Sequence, residues 1–193
     1  ILGNESAAPS AVKFYYDDVV VDDAAYFVGT PTVLRIAPTA NGTTAQWTGG
    51  TGSSDYSVVD EIPADAADYI QKPASASRHL VALQNCTTVG ILSAPKAVKT
   101  WVMIWENTSG TSSTAIALRS GGTNYDSAGV NTSNSSAATN TNRYQINLTD
   151  PKTSGAWNLR TIDSLQIGVY DSTAVIVKCG EISAFCLFDA ATT

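Results

Sequence analysis

An all-β fold, an antiparallel jelly-roll-like β-sandwich, is what this sequence predicts, and three stretches carry the prediction. In Leu165-Gln166-Ile167-Gly168-Val169 the odd positions are apolar, the period-two pattern of a strand with one face in a core. In Ile182-Ser183-Ala184-Phe185-Cys186-Leu187-Phe188 both faces become apolar towards the end, and in Ala97–Glu106 large apolar residues occupy both faces throughout. A strand apolar on both faces is expected inside a sheet and covered on both sides. Residues 157–188 as a whole read as three successive strands.

Taken in chain order, residues 1–11 are small and polar without a period and read as an arm or linker; residues 12–193 form a single sandwich domain. Strands are expected at 12–16, at 19–21 between the acidic turns Asp17-Asp18 and Asp22-Asp23, at 26–29 and at 33–36, with Pro31 marking an edge and Pro38 a stop. Residues 38–55 are turn chemistry throughout, broken only by Trp47. An exposed acidic loop follows, with Asp55, Asp60, Glu61, Asp65 and Asp68 around Pro63, and enters a short strand at Tyr69-Ile70. Residues 79–83 and 89–92 are further strand candidates.

Ala97–Glu106 is the longest strand, with Val98, Val102 and Ile104 on one face and Trp101, Met103 and Trp105 on the other. The turn at 107–113 and the return at 114–119 have hairpin spacing. Residues 121–142 are nearly all Gly, Ser, Thr, Asn and Ala and are expected to form a long surface loop or a frayed edge hairpin. Alternation resumes at 143–148 through Tyr144, Ile146 and Leu148, Asp150-Pro151 ends it, and residues 157–164 have room for one helical turn.

Composition removes several classes of function. A chain of 193 residues should bury roughly 70% of the surface its unfolded form exposes, so it needs no metal or disulfide staple. The net charge of −6, with 11 scattered Lys and Arg, argues against nucleic acid as a partner. No run of 18 apolar residues occurs, so no membrane-spanning helix is expected, and the amino terminus lacks the basic and apolar regions of a signal peptide.

No catalytic residue is expected. The single histidine, His79, would have to serve any Ser-His-Asp triad, yet no Gly-x-Ser-x-Gly elbow exists; a strand-edge histidine with ordinary solvation is the expectation. Adjacent acids on a strand point to opposite faces, a poor geometry for paired acid and base, so Asp17-Asp18 and Asp22-Asp23 read as solvated turns. No metal site and no cofactor is expected: three cysteines and one histidine without C-x-x-C spacing argue against a zinc site. Cys179 and Cys186 on one extended strand are too far apart to pair, Cys186 reads as a small buried hydrophobe, and a Cys86 to Cys179 bridge stays open. Asn-x-Ser/Thr triplets are frequent, as the composition alone would make them.

Two aromatic features bear on binding. Trp47, alone in its loop, is either anchored in the core, the main expectation, or offered to a ligand, for which it is the weak candidate. Trp101 and Trp105, at i and i+4 on one strand face, could form a platform on which pyranose rings stack, although Met103 between them favours a packed sheet face.

Several blocks taken in order carry a resemblance. They are Phe14-Tyr15-Tyr16-Asp17-Asp18-Val19-Val20-Val21; Gly29 and residues 33–38 with Asn41-Gly42; Gln46-Trp47-Thr48; residues 56–61; Asp68-Tyr69-Ile70; Leu118-Arg119-Ser120-Gly121-Gly122; residues 150–157; and residues 165–169. This ordered set resembles a domain common in virion structural proteins of tailed bacteriophages, of the decoration, head-fibre or tail-appendage type with a jelly-roll or concanavalin-like sandwich. The resemblance implies a non-enzymatic structural protein at the surface of the virion. Its partners would be a major capsid or tail protein and further copies of itself, a trimer being one arrangement. The alternative reading is a carbohydrate-binding adhesin that recognises a host-surface glycan.

Overall fold

The structure, a computed structural model, describes residues 32–49, 55–64, 67–90, 93–106, 110–134 and 141–188. The arm at 1–11, the strands expected between 12 and 29, and both acid pairs lie outside these residues.

Two antiparallel sheets are built from twelve strands among the described residues. These are β1 (Thr32–Ile36), β2 (Pro38–Ala45), β3 (Thr48–Gly49), β4 (Ile70–Gln71), β5 (Ser77–Leu83), β6 (Ala97–Glu106), β7 (Gly110–Ser120), β8 (Thr123–Asn124), β9 (Val130–Asn134), β10 (Thr141–Asn147), β11 (Gln166–Asp171) and β12 (Val177–Phe188). One sheet runs β10-β6-β12-β4-β3, with β1 on the same edge of β12 as β4; the other runs β2-β5-β11-β7-β8, with β9 also on β7. The fold class is therefore all-β, a two-sheet sandwich. The central strands are those in which alternation is strongest. Ile167 and Val169 of β11, Val102 and Ile104 of β6, and Ile182, Ala184 and Cys186 of β12 all turn inwards and are buried.

Local chemistry closes the ends. Helix α1 (Leu159–Asp163) starts at Asn158, whose side chain accepts the Thr161 amide at 3.0 Å while the Thr161 hydroxyl accepts the Asn158 amide at 3.2 Å. This reciprocal cap satisfies amides that a helix start otherwise leaves open. Just before it, the Trp157 indole is buried and donates to the Asn147 carbonyl at 2.9 Å. The turn after Asp150 is tied through its carboxylate, which accepts from the Ser120 hydroxyl at 2.6 Å and the Lys152 amide at 3.0 Å.

A buried ion pair joins the sheets at one end. The Lys72 ammonium stands 3.5 Å from Asp171, both side chains are fully buried, and the Thr173 and Val175 carbonyls accept from it at 2.5 and 3.0 Å. Burial alone would raise the Asp171 carboxyl. Hydrogen bonds from Thr173 and Thr114, together with the Lys72 charge, outweigh burial and hold it below its ordinary value.

Several expectations are corrected. Residues 38–45 are strand β2, because Thr and Ala on an exposed sheet edge need only backbone pairing, and two register shifts against β5 absorb the Asn-Gly turn chemistry. Cys86–Val89 is a 3₁₀ turn ended by Gly90 at φ 77°, so the strand expected at 89–92 does not begin at Val89; residues 91–92 lie outside the described residues. β6 and β7 lie in different sheets, so they do not pair as the expected hairpin; residues 107–109 between them lie outside the described residues. Residues 157–188 hold α1 and two strands, not three. Of the stretch 121–142 expected as a surface loop or frayed edge hairpin, the described residues hold β8 and β9, both on β7, and the start of β10, while 135–140 lie outside them. Cys86, Cys179 and Cys186 are all free and buried, so no Cys86 to Cys179 bridge forms.

Candidate functional site

The sequence candidates separate by depth. Trp47 has no exposed surface and belongs to the core cluster, so its ring offers no face to a ligand. His79 is also fully buried, and burial pulls its imidazole to about 4 against the opposing influence of Asp55 and the Trp47 backbone. That corrects the expectation of ordinary solvation at a strand edge. Among the described residues, no three His, Cys, Asp or Glu side chains converge as metal ligands.

Trp101, Met103 and Trp105 face outwards, because Val98, Val102 and Ile104 of the same strand fill the core. Their face of the β10-β6-β12 sheet turns away from the second sheet and is half-buried along β6, so the expectation of a strand covered on both sides holds only in part. Register then fills the face from other strands. Tyr144 of β10 pairs with Trp101, which pairs with Ser183 of β12. In the next row Ile146 pairs with Lys99, Lys99 with Phe185, and Phe185 with Arg35 of β1. At the far end Trp105 pairs with Lys178, which pairs with Gln71 of β4.

A bulge decides what this face carries. Between Cys179 and Glu181 the pairing of β12 with β6 slips by one residue, so Gly180 is left over and the side-chain parity of the strand flips. Before the slip Lys178 points outwards; after it Glu181, Ser183 and Phe185 do. Without the bulge Glu181 would point into the apolar core. Gly180 also makes room for Trp105: a Cβ there would stand 2.7 Å from the indole.

The aromatic geometry is ordered. The Trp101 and Tyr144 rings are 6.4 Å apart and 8° from parallel, and Tyr144 is 61% exposed. Lys99 Nζ lies 4.8 Å from the Trp101 ring, 5.0 Å from Tyr144 and 5.8 Å from Phe185. Tyr69 meets Trp105 edge to face at 5.9 Å, and Lys178 Nζ lies 3.9 Å from the Tyr69 ring. Cation–π contacts of this type are worth about 0.5–2 kcal/mol each and hold both lysines over the rings.

Glu181 is recessed at 7% exposure. Burial pushes its carboxyl above the usual carboxylate range, against the pull of the Trp101 side chain, the Ser183 hydroxyl and the Arg35 charge. Arg35 donates to Ser183 at 3.2 Å and also to the Asp60 carbonyl, and Ser183 stands 3.4 Å from Glu181. Of these groups it is the Glu181 carboxylate that accepts from the Trp101 side chain. On the other side of Tyr144 a crevice of about 310 Å³ opens towards β7, lined by Ile116, Ser127, Val130 and Arg143.

Sequence reasoning had Trp101 and Trp105 on one face but missed Tyr144, Glu181, Arg35 and Lys99 as their company. The alternation at 143–148 does give a strand, yet its apolar side is the solvent side: Ile146 is 54% and Leu148 71% exposed. No local signal marks that inversion.

No protein-family model matches the chain, and no curated protein does. Among solved structures it is similar to the CBM22-1–GH10 modules of Clostridium thermocellum endo-1,4-beta-D-xylanase 10B, determined with xylohexaose. The identity is 10%, the TM-score 0.45, and the match covers 81% of this chain and 30% of that one. It is also similar to the CBM22-1 xylan-binding domain of Paenibacillus barcinonensis Xyn10C, at 14% identity and TM-score 0.44, over 86% of this chain and all of that one. At these values the likeness is one of sandwich architecture and carries no argument about a ligand. The place on a virus particle, with capsid or tail partners and self-association, finds no support in the geometry or in these comparisons.

Proposed function

We propose that the outward face of the β10-β6-β12 sheet binds carbohydrate and that the domain is a non-catalytic binding module. The observation that carries the reading is the near-parallel Trp101–Tyr144 pair on a sheet face, in which Tyr144 is exposed, Trp101 is half-buried and Glu181 holds the Trp101 side chain. A pyranose ring has an apolar C–H face that stacks on an aromatic ring, and equatorial hydroxyls that need polar partners at its edge. Asn142, the exposed outward polar residue of β10, pairs with Met103 between the two tryptophans and can serve as such a partner. Trp101 and Trp105 are four residues apart on one strand, about 13 Å, so a platform at each end suits an extended chain better than a single sugar.

Among the described residues that register places on the face there is one carboxylate, Glu181, where glycoside hydrolysis ordinarily uses two. An open, shallow platform binds weakly, in about the micromolar to millimolar range, and gains avidity from repetition along a polymer.

Affinity electrophoresis against a panel of soluble polysaccharides tests the reading. Retardation by at least one polymer is expected, with Trp101→Ala and Tyr144→Ala each weakening it about tenfold or more while circular dichroism and Tm stay near wild type. Tyr144→Ala guards against a folding artefact, since that side chain is mostly exposed. Retardation indifferent to both substitutions, or no retardation by any polymer, overturns the proposal.

A further inference from the structure

The same face carries a charge pattern opposite to that of the chain. The protein has a net charge of −6, yet the side chains that register places on this face include three cations, Arg35, Lys99 and Lys178, and one carboxylate, Glu181. The carboxylate is the recessed member and is engaged with the Trp101 and Ser183 side chains. None of the three cations has a carboxylate within ion-pair distance among the described residues, where the ion pairs are Lys72–Asp171 and Arg78–Asp126. Lys99 and Lys178 rest on aromatic rings, and Arg35 donates to a hydroxyl and a backbone carbonyl. The neighbouring acidic loop meets the face with backbone groups: Asp60 gives its carbonyl to Arg35, and the Asp68 carbonyl lies beside Gly180.

We propose that this face selects anionic polysaccharides, those bearing uronate carboxylates or sulfate esters, over their neutral counterparts. The proposal rests on the carbohydrate-binding reading above and names the class of glycan. Lys99 and Arg35 flank Phe185 in one row across three strands, roughly 10 Å between backbones, and Lys178 lies in the row of Trp105 at the other end. Sugars stacked on Trp101 and Trp105 therefore place their ring substituents beside a cation at each end. A charge-assisted hydrogen bond at either end adds to affinity only when the substituent is anionic. The ammonium groups are already held over their rings, so little side-chain freedom is lost when the anion arrives.

The test uses the full chain and four polymers: polygalacturonate, the same polymer fully methyl-esterified, dextran sulfate and dextran. Binding of at least one anionic member about tenfold tighter than its neutral partner is expected, as one or two charge-assisted contacts imply. That preference should collapse in about 0.5 M NaCl, where exposed charges are screened. It should also collapse in the Lys99→Met, Lys178→Met variant, which keeps the apolar stems against the rings. The two anionic arms tell carboxylate from sulfate. Trp101-dependent binding of a neutral polymer with equal or better affinity overturns the charge proposal and leaves the carbohydrate reading standing. Binding of poly-glutamate as tightly as of either anionic polymer overturns both, as does failure of all four polymers to bind together with an empty panel in the earlier experiment.

Discussion

His79 shows what one register choice does to a side chain. It neighbours Arg78 in sequence, but the two point to opposite faces of β5: Arg78 reaches Asp126 and lies 4.9 Å from the Tyr170 ring, while the imidazole is shut inside. Its pKa, lowered from 6.5 to about 4, means that between these values the unfolded chain binds a proton the folded chain does not. The contribution of His79 to stability is therefore full above about pH 6.5 and is lost as the pH falls towards 4, with a slope of up to about 1.4 kcal/mol per pH unit. As the chain has a single histidine, His79→Gln should flatten this part of the profile, read as urea midpoints at pH 7, 6 and 5. An unchanged slope in the variant would place the effect elsewhere. The sequence alone indicated solvation here, since neither Arg78 nor the following apolar run says which face β5 turns to the core.

At the scale of elements, β11 and β12 show how far alternation can be trusted. Leu165, Ile167 and Val169 are apolar at period two and are all buried, as a strand with one core face requires. Gly168, between them, faces the other way, and its lack of a side chain is needed: a Cβ there would stand 1.9 Å from the His79 carbonyl of β5. Gly168→Ala should force β11 away from β5 and cost more than the 1–3 kcal/mol typical of overpacking, because the obstacle is backbone. Chemical denaturation measures it; a loss below about 1 kcal/mol would mean the strands separate more easily than the pairing implies. In β12 the alternation holds on either side of Gly180 but with opposite parity, and it is the bulge that turns Glu181 outwards. Nothing in Cys179-Gly180-Glu181 distinguishes a bulge from an ordinary glycine, since the slip is defined against β6, about eighty residues away.

For the molecule as a whole, the three cysteines report on the integrity of the sandwich. Cys179 and Cys186 point inwards from β12, Cys86 sits in the 3₁₀ turn near Cys186, and burial pushes each thiol to about 12. A thiol so held is neither ionised nor reachable at neutral pH. An aromatic disulfide reagent should leave all three unmodified in native buffer and label three per chain after denaturation, in one phase that follows global unfolding. Fast labelling of one thiol in native buffer would show that the end of the sandwich near Cys86 opens locally.

From its own letters the chain determined the strand-forming segments of the core, the short helix after Trp157, the inward place of Cys186 and the two-layer class, because alternation, capping and turn chemistry act over a few neighbouring residues. Only the tertiary structure decided which aromatic faces meet water. Trp47 and Trp101 are equally apolar, yet one closes the core and the other lies on the outside, and the residues that surround Trp101, namely Tyr144, Ser183, Glu181 and Arg35, come from three other strands. A strand has two faces of identical backbone. The choice between them is made by partners tens to more than a hundred residues away, through hydrogen-bond registers that no local pattern encodes.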